Sequence, residues 1–203
     1  MQDAIFGSWA RESQVPLELQ GSVRELNRRF LDLISAGSAW ESANPALPEV
    51  SARIAPLSAV QRAAAANCPY ALFDLRFGDD GHWRTMLSCP YDWQVQEIER
   101  VDADTLEFVR LALFFAWHAA SAARLAAPLL LGMHWETAAA FRAATIDCLP
   151  ALALTEAAHL TARWKGCTRY WYALAGAASR PGSPELRRIQ LYGVQLAAAA
   201  RLA

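Results

Sequence analysis

The stretch that most limits what this chain can fold into is residues 111–131, LALFFAWHAASAARLAAPLLL, the most apolar run it contains. A run of this length is either a bilayer span or a helix enclosed by protein. His118, Ser121, Arg124 and Pro128 decide between them. An arginine at mid-bilayer costs about 2.5–3.5 kcal/mol on insertion scales, so the enclosed helix is the better reading. Asp104 followed by Glu107 has the form of a capping box opening that helix, which is predicted over about residues 105–127 with Pro128 as its stop. Leu106, Phe108, Leu111, Leu113, Phe114, Phe115 and Trp117 cover most of its circumference, so other elements must surround it.

The chain can supply them. With 54% apolar residues among 203, it can bury a sizeable core. Val23, Leu26, Phe30, Leu33 and Ile34 fall at helical spacing and predict a helix over residues 20–36, with Gly37 as its stop. An N-terminal helix over residues 1–16 would carry Ile5, Phe6 and Trp9, and residues 38–48 read as a loop. Short helices are expected at 48–55 and 57–67, separated by Pro56, with Ser58 capping the second. Three more are expected at about 135–146, 150–159 and 168–178. Ser183-Pro184-Glu185 then reads as the start of a closing helix that reaches about residue 201.

One segment changes period. After Pro69, Phe73, Leu75 and Phe77 alternate with Leu72, Asp74 and Arg76, as in a half-buried strand. Gly78-Asp79-Asp80-Gly81 offers turn chemistry, and Trp83, Thr85 and Leu87 could return as a second strand. This predicts a hairpin at about 71–88, with 91–95 as a third strand or 93–100 as a helix. The expected architecture is mainly α: a helical domain with one or two short β-hairpins, in two closely packed halves, 1–100 and 101–203.

The halves also resemble each other. Setting residues 48–77 over 135–164 places Glu49 on Glu136, Ala52 on Ala139, Ser58 on Thr145, Arg76 on Arg163 and Phe77 on Trp164. Trp83 then falls opposite Tyr170, or opposite Trp171 if one residue is inserted. The shared order of helices, alternating segment, turn and aromatic predicts a tandem repeat about a pseudo-twofold axis. Each half resembles the small helical flagellar transcriptional regulator FlhD, through Leu57, Ser58, Gln61, Arg76 and Phe77 in the first and Leu131, Gly132, Glu136 and Thr145 in the second. The first half departs from that pattern in lacking the Leu-Gly, the second in placing Cys148 where the family has Gln, and the chain is about twice the family's length. The resemblance implies a non-enzymatic regulator that works in a hetero-oligomer, with a partner subunit sharing DNA contact.

Other chemistry finds little footing. The net charge of −1 gives no global positive field for nucleic acid or anionic membrane. Cys68, Cys89, Cys148 and Cys167 form no CxxC pair, and His82, His118, His134 and His159 make no HExxH or similar spacing. No metal, cofactor or catalytic group is therefore expected, and no GxGxxG, Walker or GxSxG motif occurs. Asp79-Asp80-Gly81-His82 reads as a turn rather than a site. Two residue sets remain as candidates. Arg24, Arg28 and Arg29 on one helix, with Arg187 and Arg188 on another, could contact a partner or DNA. Arg76, Trp83, Arg163 and Trp171 could line a pocket or clamp an anion, in a chain with eight tryptophans.

The opening MQDAIFGSWARE lacks the basic-then-apolar pattern of a secretory leader, so a cytoplasmic setting without membrane contact is expected. The leading expectation is a non-catalytic regulatory or assembly protein acting through a protein partner or a second copy, with nucleic acid reached only through a complex. An adaptor or chaperone of a flagellar or secretion apparatus is the next reading. A helical small-molecule binder or enzyme with an aromatic pocket is the third.

Overall fold

The computed structural model describes residues 15–37, 47–88 and 102–199. The predicted N-terminal helix, the segments at 91–95 and 93–100, Cys89 and the end of the closing helix at 201 lie outside them. Helix α1 (Leu17–Ser35) begins directly after Pro16 and buries Leu19, Val23, Leu26, Phe30, Leu31 and Ile34 on one face; Gly37, at φ +66°, follows its end. Helices α2 (Leu47–Ile54) and α3 (Ala59–Ala66) come next. Ser58 and Gln61 form the capping box of α3, each side chain bonding the other's backbone N–H. Then come strand β1 (Phe73–Asp74) and helix α4 (Asp80–Ser88).

The predicted helix over 105–127 is α5 (Ala103–Ala122), and its cap is Asp102 rather than Asp104. The Asp102 carboxylate accepts from the Thr105 N–H and from the Thr105 hydroxyl, both at 2.8 Å. Pro128 does not end it. The chain turns extended at Ala123, and Pro128 sits in the first turn of α6 (Ala126–Leu131), where a missing N–H costs no helical bond. Gly132, at φ +77°, closes α6. Helix α7 (Trp135–Ala143) stops three residues short of the expected end. A 3-10 turn (Ile146–Cys148), α8 (Leu149–Glu156), a second 3-10 turn (Ala157–His159), β2 (Thr161–Ala162), α9 (Thr168–Ala178) and α10 (Pro184–Ala199) complete the order. No single helix among the described residues is long and apolar enough to cross a membrane.

The hairpin at 71–88 is not formed. Strand β1 pairs antiparallel with β2, with Phe73 opposite Ala162 and Asp74 opposite Thr161. The segment after the Gly-Asp-Asp-Gly stretch is helix, because Asp79 caps it: its Oδ1 accepts from the His82 N–H at 3.0 Å. Asp serves turns and helix N-caps through the same short carboxylate, so the motif by itself does not say which element follows.

Helices α1 and α5 pack on each other at the centre. Around them α1 carries α2 and α3, while α5 carries α7 and α8. Helix α4 does not fold back on its own half but packs on α7, and α9 packs on α2 and α3. Elements α2, β1 and α4 begin at 47, 73 and 80; α7, β2 and α9 begin at 135, 161 and 168, each 88 residues on.

Asn27 ties α1 to the segment that carries β1. It is wholly buried, its amide donates to the carbonyls of Ala66 (3.2 Å) and Tyr70 (2.8 Å), and its Oδ1 accepts from the Leu72 N–H at 2.8 Å. Removing it leaves the Tyr70 carbonyl and the Leu72 N–H without that partner, while the Ala66 carbonyl keeps only the Cys68 N–H. Asn27→Ala should therefore lower unfolding free energy by about 3 kcal/mol or more, read as a shift of the urea midpoint at unchanged slope. At Gly132 an added Cβ would collide with the Arg163 guanidinium in a left-handed conformation. Gly132→Ala should cost about 1–3 kcal/mol by the same measurement.

Candidate functional site

Among the described residues, a dense titratable cluster lies where α4 meets the second half. Asp80, the first residue of α4, accepts from the Thr137 hydroxyl at 2.6 Å and pairs with His134 Nδ1 at 2.9 Å. Two residues on, His82 Nε2 lies 2.8 Å from Glu156 Oε1 at the end of α8. The His159 ring stands edge-on to that of His82, with centroids 6.2 Å apart. Arg76 and Asp79, paired at 2.9 Å, complete the surroundings.

Burial pushes the Glu156 carboxyl up to about 7. Burial, then the charge of Arg76, holds the His82 and His159 imidazoles below their ordinary value. A carboxyl poised near neutrality beside a histidine is the pairing that general acid–base sites use. Here it is closed, because the Glu156 side chain is 0% exposed and the His82 side chain 16%. No substrate atom can touch Glu156 without α4 moving, so the pair works as a cross-link between α4 and α8. Asp79, Asp80 and His82 belong to the Asp-Asp-Gly-His stretch that reads as a turn in the sequence, whereas Glu156 belongs to no motif. A readable signal existed all the same: Glu156 is the one charged residue in the apolar segment CLPALALTEAA, and such residues are rarely buried without a partner.

Of the residues expected to line a pocket or clamp an anion, three are core residues and one is at the surface. Trp83 and Trp171 are fully buried. Trp83 Nε1 donates to the carbonyls of Leu75 (3.1 Å) and Arg76 (3.0 Å), and Trp171 Nε1 to that of Arg163 (3.0 Å). These carbonyls belong to two sharp turns, because Arg76 (φ +57°) and Trp164 (φ +53°) are left-handed residues with side chains. Arg76 is partly exposed and paired with Asp79. Arg163 is buried, donates to the carbonyls of Leu130 (3.2 Å) and Ala71 (3.4 Å), and lies 4.8 Å from the Trp164 ring centre. The two arginines therefore hold different places: one is the left-handed residue itself, the other precedes it.

The basic candidates are partly neutralised. Arg28 pairs with Glu25 and Asp32, and Arg29 with Glu25 and Glu107. Arg24, Arg187 and Arg188 are exposed. Cys68 and Cys148 are buried free thiols and Cys167 is half-buried. No group of three or more His, Cys, Asp or Glu side chains among the described residues could hold a metal ion.

No family model matches the chain, and comparison with curated proteins and with solved structures finds no match either. Trp83→Phe and Trp171→Phe keep most of the buried ring but remove its N–H from a left-handed turn. Each should cost about 1–3 kcal/mol of unfolding free energy, while Trp135→Phe, at a half-exposed ring, should stay within about 0.5 kcal/mol; chemical denaturation of the three variants tests the contrast.

Proposed function

We propose that this chain is a non-catalytic regulatory or assembly protein that works through protein contacts, built from two copies of one helical unit. The 88-residue spacing of α2, β1 and α4 from α7, β2 and α9 supports the duplication, as do the left-handed residues at 76 and 164 and the indole anchors at 83 and 171. That register is one residue longer than the sequence alignment at 87, and it matches Trp83 with Trp171 and Arg76 with Trp164. An antiparallel pair joining a strand to its own copy is what a twofold axis between like units produces.

The observation that carries the contact reading is an open groove of about 240 Å³ between the start of α1, helix α6 and helix α10. Aliphatic side chains dominate it: Val15, Leu129, Leu130, Val194, Ala197 and Ala198. Leu191 lies one turn before Val194 on α10 and is 66% exposed; Leu17, two residues after Val15, is 81% exposed. An apolar patch of this kind on a folded surface fits a partner's apolar helix or a second copy better than a polar substrate. Nucleic acid, if bound, is reached through that partner, since Arg28 and Arg29 are already matched by carboxylates and the exposed Arg24, Arg187 and Arg188 offer little positive surface by themselves.

Leu129→Asp with Val194→Asp places charge in the groove at two exposed positions. The double variant should keep the melting temperature within a few degrees and lose the complex seen by affinity capture from the native host or by light scattering of the purified protein. Unchanged complex formation in a folded double variant, or catalytic turnover by the purified chain, would sink the reading.

A further inference from the structure

The groove between α1, α6 and α10 opens at the point where the chain enters α1. Val15, the first described residue, forms part of its lining, and the Gln20 side-chain amide donates to the Val15 carbonyl at 3.2 Å, which ties that point of the backbone to α1. Residues 1–14, MQDAIFGSWARESQ, attach there. We propose that this segment is the groove's own occupant: Ile5, Phe6 and Trp9 cover it in the isolated chain, and a protein partner binds by displacing them. The proposal rests on the reading of the groove as a contact surface and adds how that surface is controlled.

The groove calls for an apolar occupant. Its lining is mostly Val, Leu and Ala, and the polar side chains in it are already engaged. The Tyr70 hydroxyl donates to the Gln190 carbonyl and meets the Tyr170 hydroxyl at 3.0 Å, while Gln20 holds Val15. An occupant therefore gains from covering apolar surface rather than from new hydrogen bonds. Ile5, Phe6 and Trp9 offer that surface close together in sequence, and a phenyl or indole side chain buries about 150–250 Å². They also reach. Trp9 lies six residues from Val15 and Ile5 ten, spans of up to about 20 and 35 Å for extended chain, which is ample for a groove of about 240 Å³.

Attachment decides the competition. A segment joined this close to its site meets it at an effective concentration on the order of millimolar, whereas a partner meets it only at its own concentration in solution. The segment keeps the groove until an incoming apolar helix exceeds its affinity by the ratio of the two concentrations. A second copy has no such advantage, because its own groove carries the same segment.

Photo-cross-linking of the full chain locates the segment. With p-benzoylphenylalanine substituted for Phe6, irradiation should join position 6 to peptides from 126–131 or 184–199 of the same chain. Leu129→Asp with Val194→Asp should abolish that product. Links to other regions, no links, or links only between two chains overturn the proposal, the last because the occupant is then a second copy. Fluorescence anisotropy of a labelled peptide of residues 1–14 gives a second readout. The peptide should bind the full chain carrying Phe6→Ser and Trp9→Ser about tenfold or more tightly than the unaltered chain, and adding Leu129→Asp and Val194→Asp should remove the binding. Equal affinity for the two chains, no binding to either, or binding that survives the groove changes refutes it. If the segment fails these tests while the host complex is still lost on Leu129→Asp with Val194→Asp, the segment alone is overturned. If that complex persists, the contact reading falls and the proposal with it.

Discussion

Two residues with side chains, Arg76 and Trp164, sit in the left-handed region directly after the short strands, and the rest of the architecture follows from where those turns send the chain. Such a conformation costs of order 1–3 kcal/mol and persists only where neighbours over-determine it. Here the neighbours are indoles. Trp83 and Trp171, each eight residues beyond the carbonyl it holds, donate their ring N–H into the turn while their rings fill the core. The turn and the helix that follows it thus depend on each other. The turn aims the helix away from its own half, and the helix returns a hydrogen bond and a buried aromatic surface to the turn.

The strand pair supplies the meeting point. A two-residue ladder contributes little by itself, yet it is braced from both sides. Asn27 holds the backbone leading into β1, and the Arg163 N–H donates to the Leu72 carbonyl at 2.9 Å. The Arg163 guanidinium then reaches the carbonyls of Ala71 and Leu130, filling the space that Gly132 leaves by having no side chain. Tyr70 adds a third tie, donating to the Gln190 carbonyl and meeting the Tyr170 hydroxyl at 3.0 Å. Buried polar groups that find partners specify one arrangement more sharply than apolar packing does, and these lie where the two halves join.

Helices were legible wherever apolar residues repeat at helical spacing over several turns: α1, the central α5, α9 and α10 fall close to where Val23 to Ile34, Phe108 to Trp117 and the Ser183-Pro184 cap put them. The hairpin was not. Alternation from Leu72 to Phe77 matches the burial, with Asp74 and Arg76 half-buried among buried neighbours, but the chain turns sharply at Arg76, and only Phe73 and Asp74 find a ladder partner, near residue 161. Local pattern cannot report pairing at such separation, nor whether Asp79 turns a chain or caps a helix. The same limit hid the candidate site. His82 and Glu156 are 74 residues apart and carry no spacing signal, so the sequence shows only an Asp-Asp-Gly-His stretch that reads as a turn and, far from it, a lone acid in an apolar segment. The tryptophans stand out in the sequence by number alone, and number does not say what they do. An indole that can line a pocket serves equally to anchor backbone, and Trp83 and Trp171 do the second.

Each half completes the other, with α4 and α9 exchanged across the β1–β2 pair. Cutting the chain between 101 and 102 puts that interdependence to direct trial. Fragments 1–101 and 102–203, each alone, should show no cooperative thermal transition and little near-ultraviolet circular dichroism. Mixing them should restore one cooperative transition with the tryptophan signal of the intact chain. A fragment that melts cooperatively by itself, with a native-like aromatic signal, would show instead that the halves fold independently.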